Sequence, residues 1–233
     1  MDLKLNDKRA LVLGASKGIG RAIADGLAAE GASVVVASRD GAACEQVAKD
    51  LSEQYGVRVL GTSCDMGDLD AVDSVAAFAT QEMGGVDILV NNTGGPPFGP
   101  VSQVDSDTWR QYFDSMFVSV TRLTGHLLPG MRERGWGRVL LVTSTGVVEP
   151  IPQLGISNAL RIGLTNWAKT LSIEVAPDGV TVNALMPGRI ETDRLRQFYQ
   201  VGADQRAIAP EEVKAEVAAA IPAGRAGRPE EFA

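Results

Sequence analysis

With 233 residues, 45% of them hydrophobic and 22% charged, the chain has ordinary globular composition and enough length for one large core, so a single domain spanning 1–233 is expected. Its 29 acidic against 22 basic residues give a net charge of −7, a field that repels phosphate backbones and anionic lipid surfaces, so no nucleic acid and no membrane is expected as a partner. The amino terminus, MDLKLNDKRA, has no basic region leading into an apolar stretch, and no run approaches the ~20 apolar residues of a bilayer span, which points to a cytoplasmic protein.

In chain order, six short β-branched runs recur: RALVLG (9–14), SVVVAS (33–38), VRVLGTS (57–63), VDILVN (86–91), RVLLVTS (138–144) and VTVNALM (180–186). They read as strands buried on both faces. Between them lie stretches with helical spacing, such as GRAIADGLAAEG with Ile23 and Leu27 one turn apart. Strands alternating with helices predict right-handed crossovers and a single-domain α/β fold, a Rossmann-type doubly wound parallel sheet in three layers, α/β/α. In such sheets the ligand site lies beyond the carboxyl ends of the strands, where strand order reverses. Long helical segments are expected at 105–125 and 157–175, with Trp109, Phe113, Phe117, Leu164, Trp167 and Leu171 forming more than one apolar face.

After the first strand comes GASKGIG, in which Gly14, Gly18 and Gly20 open a helix, together with Ser16, Lys17 and Ile19. Between a buried strand and an amphipathic helix, such glycines permit a tight turn and close backbone approach to a pyrophosphate at exposed helix amides. The second strand ends at Ser38-Arg39, without the acidic residue that usually bonds the adenine ribose of NAD. Arg39, helped by Lys17, would face a 2′-phosphate instead, which predicts NADP(H) over NAD(H). The alternative has Arg39 solvated and Asp40 turned toward the ribose. Cys44 and Cys64 are too few for a disulfide framework or a zinc site, so two thiols in a reducing compartment and no metal are expected. His126, the one histidine, reads as packing or capping.

The glycine loop, Asp65 in CDMGD, NNTGG at 91–95, Ser144 and MPGRIET at 186–192 stand in the order found in short-chain dehydrogenases and reductases. The chain resembles that family over essentially its whole length, and within it the 3-oxoacyl carrier-protein reductases. The resemblance implies a nicotinamide oxidoreductase acting on a carbonyl or alcohol, and a homo-oligomer, dimer or tetramer, paired through the two long helical segments. It implies that Asp65 and Met66 contact adenine, that Asn91 and Gly94 line the cofactor, that Pro187, Gly188, Ile190 and Thr192 embrace the nicotinamide, and that residues 188–225 form a substrate lid. Read locally, Asp65 could instead cap a helix beginning near Asp68, Asn91 and Asn92 suit any turn, and Thr192 could be an N-cap. Leu13 and Thr93 stand where relatives have threonine and alanine. Relatives also continue past GRAGRPEEFA into a final strand; without it the sixth strand would be an uncovered edge.

The family's catalytic asparagine, serine, tyrosine and lysine fall on Met116, Ser144, Ser157 and Arg161, so only Ser144 matches. Ser157 and Arg161 keep the i, i+4 spacing but lack a phenol, and arginine cannot relay protons as readily as lysine. A helix start with an exposed basic residue is an equal reading of that pair. By position, Tyr199 is the best alternative proton donor and Glu149, buried beside substrate, the second. Two functions follow: an NADP(H)-dependent oxidoreductase of atypical mechanism, or an inactive NADP(H)-binding homologue acting as a sensor or partner subunit.

Overall fold

The computed structural model describes residues 3–233. The strands are β1 (Arg9–Leu13), β2 (Ser33–Ser38), β3 (Val59–Ser63), β4 (Ile88–Asn91), β5 (Gly137–Val142) and β6 (Val180–Leu185). They form one parallel sheet in the order β3-β2-β1-β4-β5-β6, with Val12 of β1 opposite Val36 and Val90. Strand order reverses between β1 and β4, so the loops leaving these two strands lie side by side at the switch point.

The two-residue period of a strand divides the core in two. Leu11, Leu13, Val35 and Leu89 point to the face covered by α3 (Leu69–Met83), α5 (Ser119–Glu133) and α6 (Gly155–Val175). Ala10, Val12, Val34, Val36 and Val90 point to the face covered by α1 (Gly18–Ala29) and α2 (Gly41–Tyr55). β1, β2 and β4 are buried on both sides, as their sequences predict, while β6 pairs only with β5 and leaves Thr181 and Asn183 exposed.

The segment expected as one helix over 105–125 is two. α4 (Ser106–Phe113) meets α5 through a π-turn at Asp114–Val118, and α5 continues through Pro129 to Glu133. A π-turn inserts a residue into the hydrogen-bond ladder, so the apolar stripe changes face there. Phe113 stacks on Phe117 at 5.2 Å, and the Phe117 ring lies against Gly163 of α6. His126 neither packs nor caps: it is half-exposed, with Nε2 2.7 Å from Asp73, which Arg122 also holds. Cys44 and Cys64 are buried free thiols, Cys64 pushed up to about 11 by burial and then by the nearby carboxylates of Asp65 and Asp68. Beyond β6, α7 (Asp193–Arg206) and α8 (Pro210–Ala219) form a separate small cluster from Leu195, Tyr199, Ala203 and Val213. Among the described residues no helix is long and apolar enough to cross a membrane.

Candidate active site

The glycine loop leaves β1 with positive φ at Gly14 (61°) and Gly18 (60°), backbone that L-residues rarely adopt. The loop is clamped from the neighbouring strand. Asn92 donates from Nδ2 to the Gly14 carbonyl at 3.3 Å, and a Cβ on Gly14 would sit 2.7 Å from the Asn92 carbonyl oxygen. Gly20 is held as tightly, its would-be Cβ 2.7 Å from Asn92 Nδ2. The glycines therefore let the loop pack tightly on Asn92. Where the loop ends, α1 begins with no side-chain cap and no acid in its first turn, leaving its amides and dipole free for an anion. Ile19 packs on the core, and Ser16 is half-buried.

At the end of β2, Ser38 bonds the Asp40 backbone, and the Asp40 carboxylate caps α2 by accepting from Ala43 N at 3.0 Å. One oxygen of the Asp40 carboxylate is thereby engaged by the helix. Arg39 is exposed with no carboxylate partner among the described residues. Lys17 differs from expectation: its ammonium pairs with Asp193 of α7 at 2.6 Å, so it bridges loop to helix instead of standing beside Arg39. Asp68, not Asp65, caps α3; Asp65 is exposed and only turns back on Gly67 N, while Met66 packs on the sheet core. Asn91 is not a turn residue. It is 2% exposed at the end of β4, donates to Thr124 Oγ1 at 3.2 Å, and its Oδ1 has no partner.

On the other side of the switch point, Ser144 follows β5 and accepts from Gly146 N at 3.1 Å. Gly146 is flanked by Ser144 Oγ and by Asn158 Oδ1, which sets Ser144 against the first turn of α6. Ser157 and Arg161 lie on that helix, and both are buried, against the reading of an exposed basic residue. Arg161 donates from Nε to Ser157 Oγ at 3.2 Å, from Nη1 to the Val142 carbonyl at 2.6 Å and from Nη2 to the Thr93 carbonyl at 3.3 Å. Among the described residues its charge has no carboxylate partner, and burial, then the charge of Arg194, push its pKa down to about 10, so it stays a cation at neutral pH. Because Ser157 Oγ accepts from Arg161, its own hydrogen is free to donate outward. Met116, in the π-turn, is 1% exposed and packs with Ile156 and Leu160 on either side of Ser157.

The two alternative acids fare differently from expectation. Tyr199 belongs to the α7–α8 cluster, where burial and then the charge of Glu191 raise its pKa, the wrong direction for a proton donor. Glu149 is exposed, so the burial it needed is absent. In the loop after β6, the Pro187 carbonyl accepts from Thr145 N at 3.4 Å, Gly188 is exposed, and Ile190 bridges to Gly227. Gly94 is open on its Cα side. Thr192 does cap α7, accepting from Leu195 N at 3.4 Å, and also lays its methyl over Gly18. Sequence reasoning missed Asn92 as the clamp, although the doubled asparagine was its signal. It also missed Arg194, whose significance comes only from the loop it touches.

A reversed parallel sheet with a glycine cradle at its switch point, and a buried arginine–serine pair beside it, defines an α/β protein of Rossmann type. The sequence pattern described as short chain dehydrogenase matches residues 8–201, and the chain belongs to that family of oxidoreductases. It is 36% identical over 233 residues to the 3-oxoacyl-[acyl-carrier-protein] reductase FabG of Salmonella typhimurium, covering 99% of this chain and 88% of that one. L-sorbose reductase from Gluconobacter frateurii, complexed with NADPH and L-sorbose, superposes with a TM-score of 0.92 at 33% identity, covering 99% and 88% of the two chains. A variant of actinorhodin polyketide ketoreductase with NADPH gives a TM-score of 0.91 at 32% identity, covering 97% and 87%.

Proposed function

We propose that this protein is an NADP(H)-dependent oxidoreductase of carbonyl compounds and their alcohols, similar to 3-oxoacyl reductases, that works with a serine–arginine pair in place of tyrosine and lysine. The reading rests on one observation: Arg161, buried and without a counter-ion, is bonded to Ser157 and to the carbonyls ending β5 and following β4, at the ligand side of the sheet. A dinucleotide suits this loop because the positive-φ Gly14 and Gly18 turn the chain tightly and the uncapped α1 terminus suits a pyrophosphate. Arg39, free of carboxylates, supports the 2′-phosphate of NADP(H), while Ser16, Gly18, Ile19, Ser38, Asp65, Met66, Asn91, Gly94, Pro187, Gly188, Ile190 and Thr192 complete the binding surface.

When bound, a nicotinamide supplies a hydride to the carbonyl carbon or takes one from the alcohol. Ser144 and Ser157 direct their hydroxyl hydrogens at the carbonyl oxygen, and Arg161 offsets the negative charge that grows there. The oxygen then takes one proton, passed from solvent water through Ser157. An aliphatic hydroxyl is a poor acid, so turnover is slow; loss of a general acid typically costs about 10²–10⁴ in rate. Residues 188–225 serve as the substrate lid within the single domain. Exposed Phe113, Ile162 and Ile173 support pairing of α4–α6 across a homodimer axis, which light scattering would test. Two buried, unpaired thiols support a reducing, cytoplasmic compartment.

The test is single-turnover oxidation of bound NADPH, followed by its absorbance, with 3-oxoacyl thioesters, quinones and aldehydes. Oxidation that Ser157→Ala abolishes supports the reading. Binding of NADPH with no oxidation by any of these compounds favours the second reading, an NADP(H)-binding sensor or partner subunit, which the apolar Met116 beside Ser157 also supports.

A further inference from the structure

Of the 16 arginines, 11 lie within 4.0 Å of a carboxylate. Among the described residues, Arg39, Arg138, Arg161, Arg189 and Arg194 do not. Arg138 stacks on Trp136 at the opposite end of β5. The other four stand at or beyond the carboxyl ends of the strands, so in an acidic protein the arginines without an acid gather on the ligand side.

Two of them share one loop. Arg161 donates to the Thr93 carbonyl, and Arg194 donates from Nη2 to the Pro96 carbonyl at 2.6 Å. The Arg194 guanidinium is fixed as a plate, 3.9 Å from the centre of the Phe98 ring and 3.1 Å from where a Cβ on Gly95 would be. A side chain at position 95 would crowd it, so that the plate would have to shift by a few tenths of an ångström. Burial lowers the pKa of both arginines, and Arg161 is lowered further by the charge of Arg194, which sets the two cations within each other's field. Arg194 also lies in the first turn of α7, where a cation opposes the helix dipole. A buried or half-buried cation beside another, with no anion, is costly. Three of the five N–H groups of Arg161 are used, so two remain for a ligand.

We propose that Arg194, with Arg161 behind it, is a carboxylate subsite, and that the substrate is a carbonyl or hydroxy compound bearing a free carboxylate. This rests on the oxidoreductase reading and names the substrate class for the same site. A planar guanidinium matches a carboxylate in two parallel hydrogen bonds, which fixes the substrate's orientation as well as its charge. A 2′-phosphate does not account for the pair, since β2, which carries Arg39, lies three strand spacings from β5, about 14 Å. The pyrophosphate side does reach the start of α7, through Thr192 and the Lys17–Asp193 pair, so the NADPH affinity of an Arg194 variant is what separates a substrate carboxylate from a cofactor phosphate.

The experiment is a calorimetric titration of glutarate and of its neutral dimethyl ester, neither able to accept a hydride, into the protein with and without saturating NADPH. Glutarate should bind about tenfold or more tightly than the diester, and Arg194→Gln should remove that preference while leaving the NADPH dissociation constant within about twofold. Equal binding of acid and diester by the unaltered protein overturns the proposal, as does an Arg194→Gln variant that loses NADPH affinity but keeps the glutarate preference. Absence of NADPH binding would sink the cofactor reading alone, since the acid–diester comparison on the free protein still decides this one.

Discussion

The two halves of the cleft are built from different materials. Around β1 and β2 the site is backbone: positive-φ glycines, uncapped helix amides and a loop packed on Asn92 where no Cβ would fit. Around β5 and α6 it is side chain: Ser144 held by the Gly146 N–H, Ser157 by Arg161 and Arg161 by two carbonyls, with Met116 packed on Ile156 and Leu160 beside them. A backbone cradle recognises what every dinucleotide has in common and tolerates little change, whereas a side-chain constellation can exchange one chemistry for another without disturbing the sheet.

The sharpest way to break this comparison is to show that the side-chain half is only structural. Arg161→Met exchanges a buried, uncompensated cation for an apolar chain of similar length, a change that often leaves stability neutral or improved. We expect its unfolding midpoint to stay within a few degrees while single-turnover oxidation falls by about 10²-fold or more, and Ser157→Ala to fall by about 10²–10⁴. A variant whose unfolding midpoint drops by many degrees while the folded protein keeps its rate would make Arg161 a scaffold residue.

Next in size is the cradle. Ala at Gly20 would meet Asn92 Nδ2 at 2.7 Å, and at Gly14 it would meet the Asn92 carbonyl at 2.7 Å from a left-handed backbone. Overpacking of this kind costs about 1–3 kcal/mol, spent in distorting the loop, so NADPH affinity should fall about 10–100-fold with little effect on Arg161. Calorimetry on both variants checks it. If either binds NADPH normally, the loop is a turn and not a cradle. Smaller still is Arg39→Ala, expected to weaken NADPH about tenfold and leave NADH unchanged, since only a 2′-phosphate should feel that charge.

This division also explains what could be read before the fold was seen. The glycine loop and the six strands announce themselves because local constraint, positive φ and uninterrupted β-branched runs are written in adjacent residues. Ser144, Ser157 and Arg161 were locatable only through the order of a family's motifs, and their burial was not legible: GISNALR looks the same whether its arginine faces water or the β5 carbonyls. The π-turn at Asp114–Val118 left no mark either, because an inserted residue leaves helical composition intact. The roles of Lys17, Asp193 and Arg194 come from chain segments more than 90 residues apart meeting across the cleft.

Lys17 and Asp193 provide the finest test, because they tie the backbone half to the helix that follows the side-chain half. The pair is 2.6 Å long but largely exposed, so its contribution is small and screened by salt. The Asp193 carboxyl is held below its ordinary value by the Lys17 hydrogen bond and charge, then by Arg196. With a lowered folded-state pKa, the contact is complete above the ordinary carboxylate range and is lost as pH falls through the lowered value. Closure of α7 over the glycine loop should therefore be insensitive to pH between 6 and 8 and weaken only below about pH 4. Asp193→Asn should hasten NADPH release by no more than about threefold in stopped flow, and the difference should vanish near 1 M salt. A larger, salt-independent acceleration would mean that the Thr192 cap, not the ion pair, couples α7 to the glycine loop.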